Sequence, residues 1–366
     1  FERGGSGLRP RAELDAIRPY EPPRMAWEIE ADRGSREYAK LTMNELSFGP
    51  LPEARAAATE AIARANRYPA RDAGPLRRVI SAANPGTTTA NVVVGNGSSE
   101  VLIDLLQVLD RPGEVIFPWP SFPFYSSATR VVGLTERRVG LDGRHAADLD
   151  ALYAAVGPET RAVILCNPNN PTGTYLPLER VQAFAEALPE RVLLILDEAY
   201  YEFVEDPAYA GSHELVLQST NVVSSRTFSK VHGLAGFRIG YGIAPHDLAD
   251  YVWRAHVPFS VSLVAQAAAE ASMRQTKSIA ERVRFMAGER GRLQAAFDEV
   301  GMEYVPSHTN FILVRSGPGV FERTGVLVRE GEALGYPGWS RISIGSAQEN
   351  DRIIAALSPG RSKTRR

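Results

Sequence analysis

One cysteine stands in 366 residues, so an internal disulfide is excluded. That single thiol, Cys166, follows the apolar residues 162–165, where it reads as a small buried hydrophobe ahead of a nucleophile. Such usage fits a reducing compartment. A dominant charge is missing too: 41 Lys and Arg against 43 Asp and Glu leave a formal net charge of −2. No basic field is available to draw in nucleic acid. Long hydrophobic runs are absent; none approaches the roughly 18 apolar residues of a membrane span. No charged n-region followed by an apolar h-region opens the chain, and a cytoplasmic protein is expected. Histidines number only six, and no His, Cys and carboxylate cluster has ligand spacing, so no metal is expected. Internal repeats and low-complexity tracts are lacking as well.

What is present is a soluble composition, 44% apolar and 23% charged, over a length that suits one large domain and a smaller one. After a Gly-rich lead-in, the prolines of I-R-P-Y-E-P-P forbid a long helix and make an extended arm. Short apolar runs at 92–94, 115–117, 161–166, 192–196 and 221–224 follow, without alternation, and helical stretches separate them. That pattern predicts buried parallel strands covered by helices on both faces. From about residue 260 the chain turns to long helices and a few strands. The expected division is an arm over 1–40 belonging to the small domain, a large domain over 41–258 and a small C-terminal α/β domain over 259–366.

In open parallel sheets ligands collect beyond the carboxyl ends of the strands. Three such ends carry chemistry here. Ile195-Leu196 leads to Asp197-Glu198-Ala199-Tyr200, and a buried carboxylate there is costly unless a cation meets it. The run ending at Cys166 leads to the amide turn Asn167-Pro168-Asn169-Asn170-Pro171-Thr172-Gly173. The run 92–94 leads to Gly95-Asn96-Gly97-Ser98-Ser99 at a helix start, where free backbone N–H groups suit a phosphate. A dinucleotide fingerprint is discounted, because Glu100 occupies its third glycine position. A fourth stretch, R-T-F-S-K-V-H-G-L-A-G-F-R, presents Lys230 and Arg238 close together. Alone, these are equally two solvated cations. With the carboxylate, the amide turn, a tyrosine and the cradle, they are the parts that hold pyridoxal phosphate.

The ordered motifs N-P-N-N-P-T-G, D-E-A-Y and R-T-F-S-K-V-H-G-L-A-G-F-R resemble the fold-type I, class I/II aminotransferases. The closer resemblance is to the histidinol-phosphate aminotransferase branch with its aromatic (phenylalanine) aminotransferase paralogues. It implies a three-layer α/β/α large domain with a mostly parallel sheet and a smaller C-terminal α/β domain. It also implies ping-pong transfer of an amino group between an aromatic amino acid or histidinol phosphate and 2-oxoglutarate. By the same resemblance Lys230 is the Schiff-base lysine, and Asp197 is the partner of the pyridinium nitrogen. Tyr200 and Asn170 bond the ring oxygen, and Phe122 stacks on the ring or is a core phenylalanine. Gly97, Ser98, Thr227, Ser229 and Arg238 form the phosphate cradle, which Tyr68 reaches from the second subunit of a homodimer. Arg341 grips the substrate anion; Arg329 is a second arginine of that pocket or a surface charge, and Tyr20 on the arm closes it. The segment Asn44-Glu45-Leu46-Ser47 departs from the branch's N-E-N-P, and Ser99 and Trp119 depart toward the aromatic paralogues. A decarboxylase of the threonine-phosphate type and a cofactor-binding sensor module remain as alternatives.

Overall fold

Residues 162–166 are buried along their whole length, and the reason is a core on each side of one sheet. Val163 and Leu165 join Leu194, Leu196 and Val222 in one cluster, whereas Ala162, Ile164 and Cys166 join Leu193, Ile195 and Val223 in the other. A strand covered on both faces has no polar side to show, which is why these runs do not alternate. Each fully buried aliphatic side chain contributes about 1.5–3 kcal/mol against exposure.

The computed structural model describes residues 38–209 and 211–357, together with Arg11, Leu14, Asp15, Ile17 and Glu28. The expected arm, including Tyr20, otherwise lies outside the described residues. The first described strand, β1 (Ala39–Leu41), belongs to a second sheet. The large sheet holds β2 (Val92–Gly95), β3 (Glu114–Trp119), β4 (Thr135–Gly140), β5 (Thr160–Cys166), β6 (Leu193–Asp197), β7 (Val222–Thr227) and β8 (Gly240–Ile243). Their order is β2-β8-β7-β6-β5-β3-β4, and only β8 runs against its neighbours. The fold is a mostly parallel α/β sheet between helices, as the sequence pattern predicts.

The second sheet adds β9 (Tyr304–Val305), β10 (Phe311–Arg315), β11 (Val326–Glu330) and β12 (Trp339–Ser343), in the order β1-β11-β12-β10-β9. β1 pairs with β11 in parallel, so a strand from the start of the described chain completes a sheet made near its end. Helices Thr276–Glu299 and Ala347–Leu357 cover this sheet through Met286, Leu293, Phe297 and Ile353. One stretch that the apolar pattern did not mark, T-E-R-R-V-G, forms the edge strand β4, in which Glu136 and Val139 are half-buried and the other four residues exposed.

Candidate active site

Because β3, β5, β6 and β7 are parallel, the segments that follow them emerge on one edge of the sheet. β2 runs the same way, and β8 enters from that edge. The edge therefore gathers Gly97-Ser98, Phe122, Asn170, Asp197, Tyr200, Thr227, Ser229, Lys230 and Arg238.

Asp197 ends β6 and is buried. The hydroxyl of Tyr125 donates to its Oδ2 at 2.7 Å, and the Ala199 N–H donates to Oδ1 at 3.1 Å. Burial pushes its pKa up, and these two hydrogen bonds pull it back. Tyr125, itself buried and held well above its ordinary pKa by burial and by Asp197, keeps its proton to donate. Phe122 is half-buried with its ring centroid 5.6 Å from that of Tyr125. Cys166 pairs with Asp197 across β5 and β6, and burial pushes its thiol pKa up, as suits a buried small side chain.

Lys230 is half-buried, and its Nζ donates to the carbonyls of Met43 and Asn44, each at 3.2 Å. Burial, then Arg341 and Arg238, push its pKa down to about 7, against the opposing pull of Glu45 and Asp197. A lysine so placed is a neutral amine over much of the physiological range. Tyr200 is buried, accepts from Asn44 Nδ2 at 3.0 Å, and presents its ring 5.5 Å from Lys230 Nζ.

At the helix Ser98–Gln107 no described residue's carbonyl accepts from the first two amides. Arg238, exposed and in a left-handed backbone with φ 56°, curls onto this turn. A Cβ on Gly97 would lie 2.6 Å from Arg238 Nη2, and one on Gly240 would lie 2.3 Å from the Ser98 nitrogen. Glycine is required at Gly240 because its neighbours are backbone, and at Gly97 because its φ of 79° lies where side chains are strained. On the neighbouring strand end, the Ser229 N–H donates to Thr227 Oγ1 at 3.1 Å.

The small sheet reaches the same place. Arg341 on β12 is buried; its Nη1 donates to Asn170 Oδ1 at 2.6 Å and its Nη2 to the Thr42 carbonyl at 2.7 Å. Arg329 on β11 pairs directly with Arg341, which puts both on one face of that sheet. Arg329 is half-buried and bonds no described residue. Tyr68 is not brought to the cradle of this chain; it is 83% exposed, with its ring 4.9 Å from that of Phe259. Sequence reasoning passed over Tyr125, Thr42 and the amide of Asn44. Tyr125 is one of three aromatics in F-P-F-Y, and nothing in the sequence says which faces Asp197.

A family model described as aminotransferase class I and II matches residues 36–357. The chain is 60% identical to the histidinol-phosphate aminotransferase of Rubrobacter xylanophilus, over 96% of this chain and 100% of that one. It is 39% identical to that of an Anaeromyxobacter species, over 93% and 96%. Among solved structures it is similar to histidinol-phosphate aminotransferase from Sinorhizobium meliloti in complex with pyridoxal-5'-phosphate. That match has a TM-score of 0.86 and 30% identity, and covers 96% of this chain and 97% of the other.

Proposed function

We propose a substrate for a chain that belongs to the aminotransferase class I and II family: histidinol phosphate, whose amino group it passes to 2-oxoglutarate. The protein is a pyridoxal-phosphate-dependent aminotransferase of the histidinol-phosphate branch. Three observations support the fit of its residues to that cofactor. Among the described residues the Asp197 carboxylate is buried with no cation in ion-pair contact, the amides of Ser98 and Ser99 have no carbonyl partner beside a turn where Gly97 meets Arg238, and Lys230 is an amine of lowered pKa.

When bound, pyridoxal phosphate supplies an electron sink that acidifies the substrate's Cα–H. Asp197 would hold the proton on the ring nitrogen, and Phe122 would pack on the ring. Asn170 gives its Oδ1 to Arg341, so its Nδ2 is left to bond the ring oxygen together with Tyr200. Gly97, Ser98, Thr227, Ser229 and Arg238 would hold the phosphate. Lys230 Nζ would carry the cofactor at rest and afterwards move the substrate's proton, work suited to a group that titrates near neutrality.

The observation that carries the choice of donor is the Arg329–Arg341 pair. Like charges directly opposed on neighbouring strands destabilise a sheet unless an anion lies between them. Arg341 already meets two oxygens, whereas the Arg329 side chain meets none among the described residues. A phosphate dianion can engage two guanidinium forks, where a carboxylate suits one. The experiment is a donor panel of histidinol phosphate, phenylalanine, tyrosine, tryptophan and histidine with 2-oxoglutarate. The expected kcat/KM for histidinol phosphate exceeds the others by roughly 100-fold, since a site built around paired charges rejects donors that leave them unpaired. Arg329→Ala and Arg341→Ala should each erase most of that advantage while the cofactor stays bound. A higher kcat/KM for an aromatic amino acid would overturn the assignment.

A homodimer in the cytoplasm completes the reading, with a domain division near 258. The exposed Tyr68 supports a site shared between subunits, because an aromatic so placed is free to cross an interface.

A further inference from the structure

We infer that Asn44 is a positioning residue of this site: its amide directs the hydroxyl proton of Tyr200, and its carbonyl, with that of Met43, orients the amine of Lys230. The inference deepens the aminotransferase reading and rests on it.

Asn44 is 1% exposed and has a left-handed backbone, φ 54°. Asparagine is one of the few L-residues that tolerate that region. All of its polar groups are engaged, and the partners fix the amide's orientation. Its N–H donates to Ser343 Oγ at 2.8 Å, so the Ser343 proton is free to go to Asn44 Oδ1 at 3.2 Å. Nδ2 therefore faces Tyr200 Oη, 3.0 Å away, and donates to it. A phenol that accepts from this side cannot aim its proton back at an N–H, so the proton points into the site. The Asn44 carbonyl accepts from Lys230 Nζ and, at 3.0 Å, from Asn310 Nδ2.

The neighbouring residues extend the same device. Three consecutive carbonyls serve a guanidinium and an amine: Thr42 takes Arg341, while Met43 and Asn44 take Lys230. Two of the amine's three tetrahedral positions are thereby occupied, and the third is turned away from the Met43 and Asn44 carbonyls. The charges around Lys230 are Arg341, Arg238, Glu45 and Asp197; those around Tyr200 are Arg341, Asp197 and Lys230, with the Cys166 thiol beside them. Asn44 is the uncharged hub among them, bonded at once to Tyr200 beyond β6, Lys230 beyond β7 and Ser343 on β12.

The test compares the holoenzyme with Asn44→Asp and Asn44→Gly. Glycine keeps the left-handed backbone, which separates the side chain's work from strain. The readouts are the pH midpoint of the cofactor's visible band, kcat and KM, and the melting temperature. In Asn44→Asp the carboxylate takes the Tyr200 proton for itself and adds negative charge beside Lys230, so the midpoint should rise by about 1 pH unit. In Asn44→Gly the freed hydroxyl should lower kcat roughly 10-fold, with KM for the amino donor within about 3-fold. Adding Tyr200→Phe to Asn44→Asp should remove the share of the shift that runs through the Tyr200 hydroxyl and leave the share set by the charge beside Lys230, so the two changes should be non-additive. Midpoints of both single variants within about 0.2 unit of the unsubstituted enzyme, with only the melting temperature lowered, would reduce Asn44 to a structural turn and overturn the inference. An unsubstituted enzyme whose visible band ignores every amino donor would overturn the underlying reading as well.

Discussion

Lys230 sits where two arginines and burial oppose its own charge, and this has a consequence for stability before any substrate arrives. Its pKa falls from 10.5 to about 7 in the folded protein. Between those values the unfolded chain holds a proton that the folded chain does not, so the unfolded state binds more protons and stability rises with pH. The contribution is fully present above 10.5 and is lost as the pH falls through about 7. Denaturant unfolding of the cofactor-free protein at pH 7 and pH 9.5 should show that rise, and Lys230→Met should flatten it. The same substitution should abolish transamination and the visible absorbance that borohydride bleaches; retention of both would remove Lys230 from the chemistry. How far single residues were legible follows from where their partners lie. Lys230, Asp197 and Arg238 stand in contiguous motifs that announce themselves. Asn44 bonds to Tyr200 and Ser343, which are 156 and 299 positions away, and no local pattern encodes such a meeting.

At the scale of elements, the phosphate-side turn and β8 are built against each other. The first residue of β8, Gly240, leaves room for the Ser98 amide that a methyl would fill at 2.3 Å. That neighbour is backbone and has no rotamer to yield, so the helix start must move. Gly240→Ala should weaken cofactor retention at least 10-fold, a loss of about 1.4 kcal/mol or more. Its melting temperature should fall by only a few degrees, since the helix Ser98–Gln107 keeps its buried face. Dialysis of the holoenzyme followed by cofactor quantitation checks this, and equal retention would show that the cradle tolerates the shift. The central strands were readable because both their faces are buried and their apolar runs have no other explanation. β4 was not: Thr135-Glu136-Arg137-Arg138-Val139-Gly140 has a solvent-facing side and few apolar residues, and only its pairing with β3 makes it a strand. Gly240–Ile243 likewise lacked a signal, being half glycine.

For the whole molecule, Tyr68 is an aromatic that the site of one chain does not include. Resting on Phe259 and open to solvent, it should serve the cradle of a second copy. Subunits carrying Lys230→Ala and subunits carrying Tyr68→Ala should each be poorly active alone. When they are mixed and reassembled, half the dimers pair one of each, and every such hybrid has one site free of both lesions. Activity should return to roughly a quarter of the unsubstituted level, the share of intact sites that random pairing in a two-fold dimer provides. No recovery on mixing would place Tyr68 within its own subunit's site or outside any site. The pairing of β1 with β11 also sets a schedule for synthesis. The residues that hold Lys230 are made early, but Ser343 and Asn310, which lock Asn44 in place, leave the ribosome on the order of 10 s after the lysine. Until then the growing chain carries a lysine whose carbonyl clamp has no anchor, so the firm grip on that amine is among the last features of the enzyme to form.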